Sequence, residues 1–183
     1  MTSVLPDRTH RAPRWRPYLL MGLAAASVSL LVLAVVMSVW AAKPEGGVYR
    51  VVAVFDGDTI QVIQDRRRTT IRLHGIDCPE TDGQPFGQSA KKFASGLLFG
   101  KDVTIEKKDT DRYHRTVAVV RLEDKTHVNE AIVRAGYAWH YVRYAPKDKA
   151  LAEAEAAARA AKRGLWTGDD PIPPWDWRRR KRR

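Results

Sequence analysis

Asp56-Gly57-Asp58-Thr59-Ile60-Gln61-Val62-Ile63-Gln64-Asp65-Arg66-Arg67-Arg68-Thr69-Thr70-Ile71-Arg72-Leu73 reads as a turn, a β-branched run, a polar turn and a second β-branched run. With the apolar residues 48–55 before it, the stretch predicts three strands, at 48–55, 59–64 and 69–73, joined as an antiparallel meander. Turns this short cannot hold the crossover helix that a parallel pair requires. Two more β-rich runs, at 102–107 and 116–122, raise the expected count to five. Five short strands with helices between them predict a small β-barrel with helices, an α+β fold, and not a doubly wound sheet. Helices are expected over 89–99, 128–135 and 150–163, stopped by Gly100, Gly136 and Gly164. In the last of these, Leu151, Ala154, Ala158, Ala161 and Leu165 share one face while Glu155 and Arg159 stand four apart on another, the pattern of a packing helix. Residues 168–183 read as a Pro- and Trp-containing basic tail, in which residues 171–177 form no long regular element and the six basic residues 178–183 close the chain as a mobile end.

The chain has 183 residues and a formal net charge of +11. The last six residues carry six of those charges and residues 1–42 a net three, so the middle of the chain carries only two. Basicity therefore belongs to the ends and does not by itself mark the central domain as a nucleic-acid binder. Cys78 is the only cysteine, which rules out an intramolecular disulfide and leaves the core to hold the fold.

Ahead of the barrel, residues 18–42 form an uncharged run rich in Leu, Ala and Val. At about 1.5 Å per residue it is long enough for a hydrocarbon layer roughly 30 Å thick. Arg8, Arg11, Arg14 and Arg16 precede it, so the positive-inside rule keeps residues 1–17 in the cytoplasm and places the barrel outside, in the periplasm or beyond. The alternative is a cleaved secretory leader, since Val39-Trp40-Ala41 offers small residues near a cleavage position. The run exceeds the about 7–15 apolar residues usual for such leaders, which favours the anchor. Residues 43–47 read as a linker, 48–167 as the folded domain.

Chemistry is expected where acidic residues leave the strands. Asp58 follows the first turn, and Asp77 and Glu80 leave the third strand in Arg72-Leu73-His74-Gly75-Ile76-Asp77-Cys78-Pro79-Glu80. Taken singly, Asp56-Gly57-Asp58-Thr59 is an ordinary turn, and Arg72 or Arg115 an ordinary surface residue covering apolar neighbours with its stem. Taken together, three carboxylates at neighbouring strand ends would repel unless a cation joined them, and an all-oxygen set of flexible geometry suits Ca²⁺. Arg72, and Arg115 in Asp111-Arg112-Tyr113-His114-Arg115, supply planar forks for a phosphate gaining charge in a five-coordinate transition state.

From about residue 48 to 166 the chain resembles the thermonuclease family of staphylococcal-nuclease-like domains. The resemblance rests on the order and spacing of Asp58, Arg72, Asp77, Glu80 and Arg115, and on Val128-Asn129-Glu130-Ala131-Ile132-Val133-Arg134-Ala135-Gly136. It implies a five-stranded OB-fold barrel with three helices, and a Ca²⁺-dependent hydrolase of DNA and RNA with little sequence preference that leaves 3′-phosphates. Asp58, Asp77 and the Cys78 carbonyl would hold the cation, Glu80 would act on the attacking water, and Arg72 and Arg115 would hold the phosphate. Tyr113, Tyr141 and Tyr144 are candidates for stacking on bases or bonding phosphate, with core packing the alternative. Cys78 stands where the family's best-known member has threonine, a position that acts through its backbone, and His114 stands where glycine is common. The competing reading is a catalytically silent OB-fold module of the cell envelope that binds nucleic acid or a protein. Nothing in the sequence identifies a protein partner, and the scattered histidines form no zinc set.

Overall fold

The computed structural model describes residues 47–182. The expected membrane span at 18–42, and with it the cytoplasmic segment and most of the linker, lies outside the described residues. Among the described residues no helix is long and apolar enough to cross a membrane.

Among the described residues, seven strands and four α-helices follow in the order β1 (Tyr49–Val54), β2 (Thr59–Gln64), β3 (Arg67–Leu73), β4 (Ile76–Asp77), α1 (Gly87–Leu98), β5 (Asp102–Thr110), β6 (Thr116–Leu122), α2 (Val128–Arg134), β7 (Trp139–His140), α3 (Lys149–Ala160) and α4 (Pro174–Lys181), with a short 3₁₀ turn at Gly164–Thr167 before the last. Five strands close a barrel in the order β1-β2-β3-β6-β5, as the meander predicts. The β2–β3 turn is tighter than the polar run 65–68 suggests. Asp65 and Arg66 both take left-handed backbone, with φ of 48° and 64°, the conformation of a two-residue hairpin, so Arg67 and Arg68 join the strand. β3 and β6 pair in parallel, Ile71 facing Thr116 and Leu73 facing Ala118. β5 pairs with both β6 and β1 and closes the cylinder.

Alternation along the strands fills the interior. Val51, Ile60, Val62, Ile71, Leu73, Val103, Ala118 and Val120 are buried, joined by Ala90, Ala94 and Leu98 of α1 and Ile132 and Val133 of α2. α2 starts where His127 accepts the Glu130 N–H, and α3 where Asp148 accepts the Leu151 N–H. Asn129, fully buried, replaces a missing strand partner: its Oδ1 accepts the Val120 N–H, and its Nδ2 donates to the carbonyls of His74 and Ala118. β4 and β7, too short to be seen in the sequence, form a separate two-stranded pair that places Asp77 opposite Trp139.

The expectation of three helices and a mobile tail needs correction. Residues 174–181 form a fourth helix. Pro174 occupies its first turn, where the missing N–H costs nothing, and the Pro173 carbonyl accepts from the Asp176 and Trp177 N–H groups. Trp175 anchors it by stacking on Tyr141, with centroids 4.9 Å apart and planes at 11°, and meets Trp139 edge-on.

Candidate active site

Asp58 sits at the mouth of the barrel because the β1–β2 turn is built around its own acids. The Asp56 carboxylate accepts the Asp58 N–H at 3.0 Å, turning the chain into β2. β2–β3 pairing then sets Thr59 opposite Arg72. Strand β4 carries Asp77 to the same end, and the Cys78 N–H donates to Asp58 Oδ2 at 2.7 Å, fastening the two acidic segments together. Gly57 allows that closeness, since a Cβ there would lie 2.7 Å from the Cys78 sulfur.

Both aspartates are buried, 2% and 1% exposed, a costly state for carboxylates unless counter-charge is supplied. Arg72 supplies it, bonding Asp58 through Nη1 and Asp77 Oδ1 through Nη2 at 2.6 Å. Thr59 adds a hydroxyl bond to Asp58. Of the three carboxylates expected to converge, Asp58 and Asp77 share Arg72, while Glu80 is not among the partners of Arg72.

A second guanidinium, which sequence reasoning missed, completes the cluster. Arg178 of α4 donates to Asp77 Oδ2 at 2.7 Å, to Asp77 Oδ1 at 3.3 Å and to Glu80 Oε1 at 2.6 Å. Burial alone would lower its pKa, but the bonds to Asp77 and Glu80 outweigh that and hold it above the ordinary arginine value. Its signal in the sequence is obscured because it lies in a run of six basic residues, any of which reads as solvated.

Arg115 and Tyr113 belong to a neighbouring turn. Arg115 donates from Nε to Asp111 Oδ2 at 2.7 Å and from its backbone to Oδ1 at 2.9 Å. Burial acts to raise the Asp111 pKa, yet hydrogen bonds from Arg115 and Tyr113 bring it below the usual carboxylate value. This turn leads directly into the Ile71–Thr116 pairing, so it borders β3 one residue from Arg72. Tyr113 is exposed and lies under the Arg112 and Arg115 guanidiniums. His114, where glycine is common in the family, holds a positive φ of 62°.

Tyr141 joins the cluster from the other side. Burial, and then the charge of Asp77, raise its phenol pKa. Tyr144 meets Tyr141 edge-on at 4.8 Å and is itself exposed. Tyr144 also borders an open, polar groove of about 450 Å³ lined by His74, Glu106, Lys108, Arg121, His127, Lys147 and Asp148, none of which is Asp58, Asp77 or Glu80. Cys78 is inert as a nucleophile: burial raises its thiol pKa well above the ordinary value, against a smaller opposing effect of Arg72.

Asp58, Asp77 and Glu80 against Arg72 and Arg178 leave one negative charge in excess. Buried oxygen donors with surplus negative charge fit a hard divalent cation. Among the described residues no three His, Cys, Asp or Glu side chains cluster closely enough to enclose an ion, so a backbone oxygen such as that of Cys78 would have to complete the set.

Residues 70–168 match the model of a family described as staphylococcal nuclease homologue. The chain is 45% identical over 132 residues to a protein of Escherichia coli named uncharacterized endonuclease, covering 72% of this chain and 85% of that one. It is 37% identical over 163 residues to the protein ParB of Escherichia coli, covering 84% and 89%. Over 138 residues it is 38% identical to a micrococcal nuclease of Shigella flexneri, covering 70% and 79%. Barrel, paired aspartates and family match thus agree, and the chain belongs to the staphylococcal nuclease homologue family.

Proposed function

We propose that the protein is an endonuclease that hydrolyses phosphodiester bonds of DNA, RNA or both with low sequence specificity, in a Ca²⁺-dependent reaction. The observation that carries this reading is the chain of ion pairs in which Arg72 joins Asp58 to Asp77 and Arg178 joins Asp77 to Glu80. Ca²⁺ held by Asp58, Asp77 and the Cys78 carbonyl would neutralise charge on a phosphate oxygen. Glu80 acts on the attacking water, either by accepting its proton or by ordering it. As the water oxygen bonds to phosphorus, the bond to the 5′ oxygen breaks, and that oxygen takes a proton from solvent, leaving a 3′-phosphate and a 5′-hydroxyl. Arg72 and Arg115 meet the charge that grows on the equatorial oxygens. Tyr144, exposed on the protein surface, offers a face to a base beside the cleaved bond, whereas Tyr141 is stacked on Trp175.

The placement that goes with this chemistry is outside the cytoplasm, tethered by residues 18–42 or exported after their removal, where a non-specific nuclease does not meet the genome. The test is degradation of single- and double-stranded DNA and of RNA by the full chain, with Ca²⁺ and with chelator, beside Glu80→Gln and Arg72→Ala. Ca²⁺-dependent cleavage lost in both variants supports the assignment. Binding without cleavage under every condition replaces it with the silent binding module.

A further inference from the structure

Glu80 has two handles, and both lead to the same distant segment. Its backbone N–H donates to Gln84 Oε1 at 2.9 Å, and the other end of that amide donates to the Ile172 carbonyl at 2.8 Å. Gln84 is 6% exposed, so this bridge is shielded from water. The Glu80 carboxylate, 37% exposed, has one hydrogen-bond partner among the described residues, Arg178. The segment that supplies Ile172 and Arg178 is held elsewhere by the Trp175–Tyr141 stack and by Lys181, which bonds the Asp82 carboxylate at 2.8 Å.

We propose that residues 172–181 are a working part of the active site, in which Gln84 and Arg178 act as positioning residues for Glu80. The proposal rests on the role given to Glu80 above. Two like charges, Asp77 and Glu80, share one guanidinium whose planar fork fixes their separation. Without Arg178 they repel, Asp77 remains paired with Arg72, and the half-exposed Glu80 side chain turns into solvent. A carboxylate that must meet a water beside a scissile phosphorus tolerates little displacement. Neither positioning residue belongs to the motif residues that carry the family resemblance, and both act through Glu80 and not on phosphate.

The test uses the full chain and its Arg178→Ala, Arg178→Lys, Gln84→Ala and Glu80→Gln variants, with the double variant Arg178→Ala/Glu80→Gln. Cleavage of a defined DNA duplex gives kcat and KM, calorimetric titration gives Ca²⁺ affinity, and hydrogen exchange reads the backbone over residues 79–84. The expected result for Arg178→Ala is a fall in kcat of about 10- to 100-fold, with KM and Ca²⁺ affinity little changed and partial rescue by lysine. Exchange at the Glu80 amide rises in Gln84→Ala and in Arg178→Ala. Because Arg178 acts through Glu80, the double variant cleaves no more slowly than Glu80→Gln. Wild-type kcat in Arg178→Ala overturns the proposal. So does faster cleavage with tighter Ca²⁺ binding, which would make Arg178 a rival of the cation, and so does a further loss in the Glu80→Gln background, which would place Arg178 on the phosphate. A chain that cleaves nothing refutes the nuclease reading alone; exchange still decides positioning, which fails if the Glu80 amide is indifferent to Arg178.

Discussion

Replacing Asn129 by leucine isolates one device that joins barrel to site. The side chain is fully buried and makes three hydrogen bonds. Leucine is close in volume, so packing is nearly conserved and the loss is polar. The Ala118 carbonyl keeps the His74 N–H at 2.8 Å, but the Val120 N–H loses its acceptor and the His74 carbonyl its donor. The buried Val120 N–H and the part-buried His74 carbonyl left unpaired cost about 1–3 kcal/mol each, so a loss of about 3 kcal/mol is expected. For a domain of this size that lowers the thermal midpoint by roughly 10 °C. Urea unfolding followed by tryptophan fluorescence measures it directly, with the slope against denaturant unchanged because the surface exposed is the same. A loss below about 0.5 kcal/mol, or one expressed entirely in the slope, would refute the claim that Asn129 substitutes for a strand at the end of β3.

A Cβ on Gly87 would lie 2.0 Å from the Glu80 carbonyl oxygen, so Gly87→Ala must push the Glu80 backbone aside. Cleavage by a folded Gly87→Ala variant is expected to fall about 100-fold, and unchanged kcat/KM would show that Glu80 tolerates displacement. His127, whose pKa is lowered below the ordinary 6.5 by burial and then by Arg121, uses its unprotonated Nδ1 to accept the Glu130 N–H. The folded state therefore binds fewer protons than the unfolded one, and this contribution to stability is lost as pH falls from 6.5 through the folded value; a His127→Asn variant, which keeps a cap without titrating, should show a weaker decline in midpoint over that range. The Cys78 thiol, buried and with a raised pKa, should resist a thiol-specific reagent in the native state and react at once in denaturant, whereas rapid native labelling would contradict its burial.

The barrel was readable because strand signals need only local information. β2 and β6 match their β-branched runs residue for residue, and alternation along Ile71, Arg72 and Leu73 already puts the arginine on the face opposite the core. The turn residues Asp65 and Arg66 were less legible, since arginine in the left-handed region is imposed by the strands it joins. The paired aspartates were readable from their places at strand ends. Arg178 was not, because it lies 101 residues from Asp77 and 98 from Glu80 and reaches them only through a helix that begins at the last of three closely spaced prolines. Proline as a helix breaker and proline at a helix start look alike until the following residues find a surface, and here Trp175 finds Tyr141.

The two-residue β2–β3 turn also bears on the order of assembly. This hairpin is among the most local elements of the barrel, and local pairings form fastest. Its register alone sets Asp58 beside Arg72, since Thr59 pairs with Arg72 and the Leu73 N–H donates to the Asp58 carbonyl. The parallel β3–β6 pairing and the bonds from residues 172–181 span much longer stretches of chain and must come later. A chain with a formed hairpin and an undocked carboxy-terminal helix would already have Asp58 beside Arg72, while Glu80 still lacked Arg178 and the Gln84–Ile172 bridge.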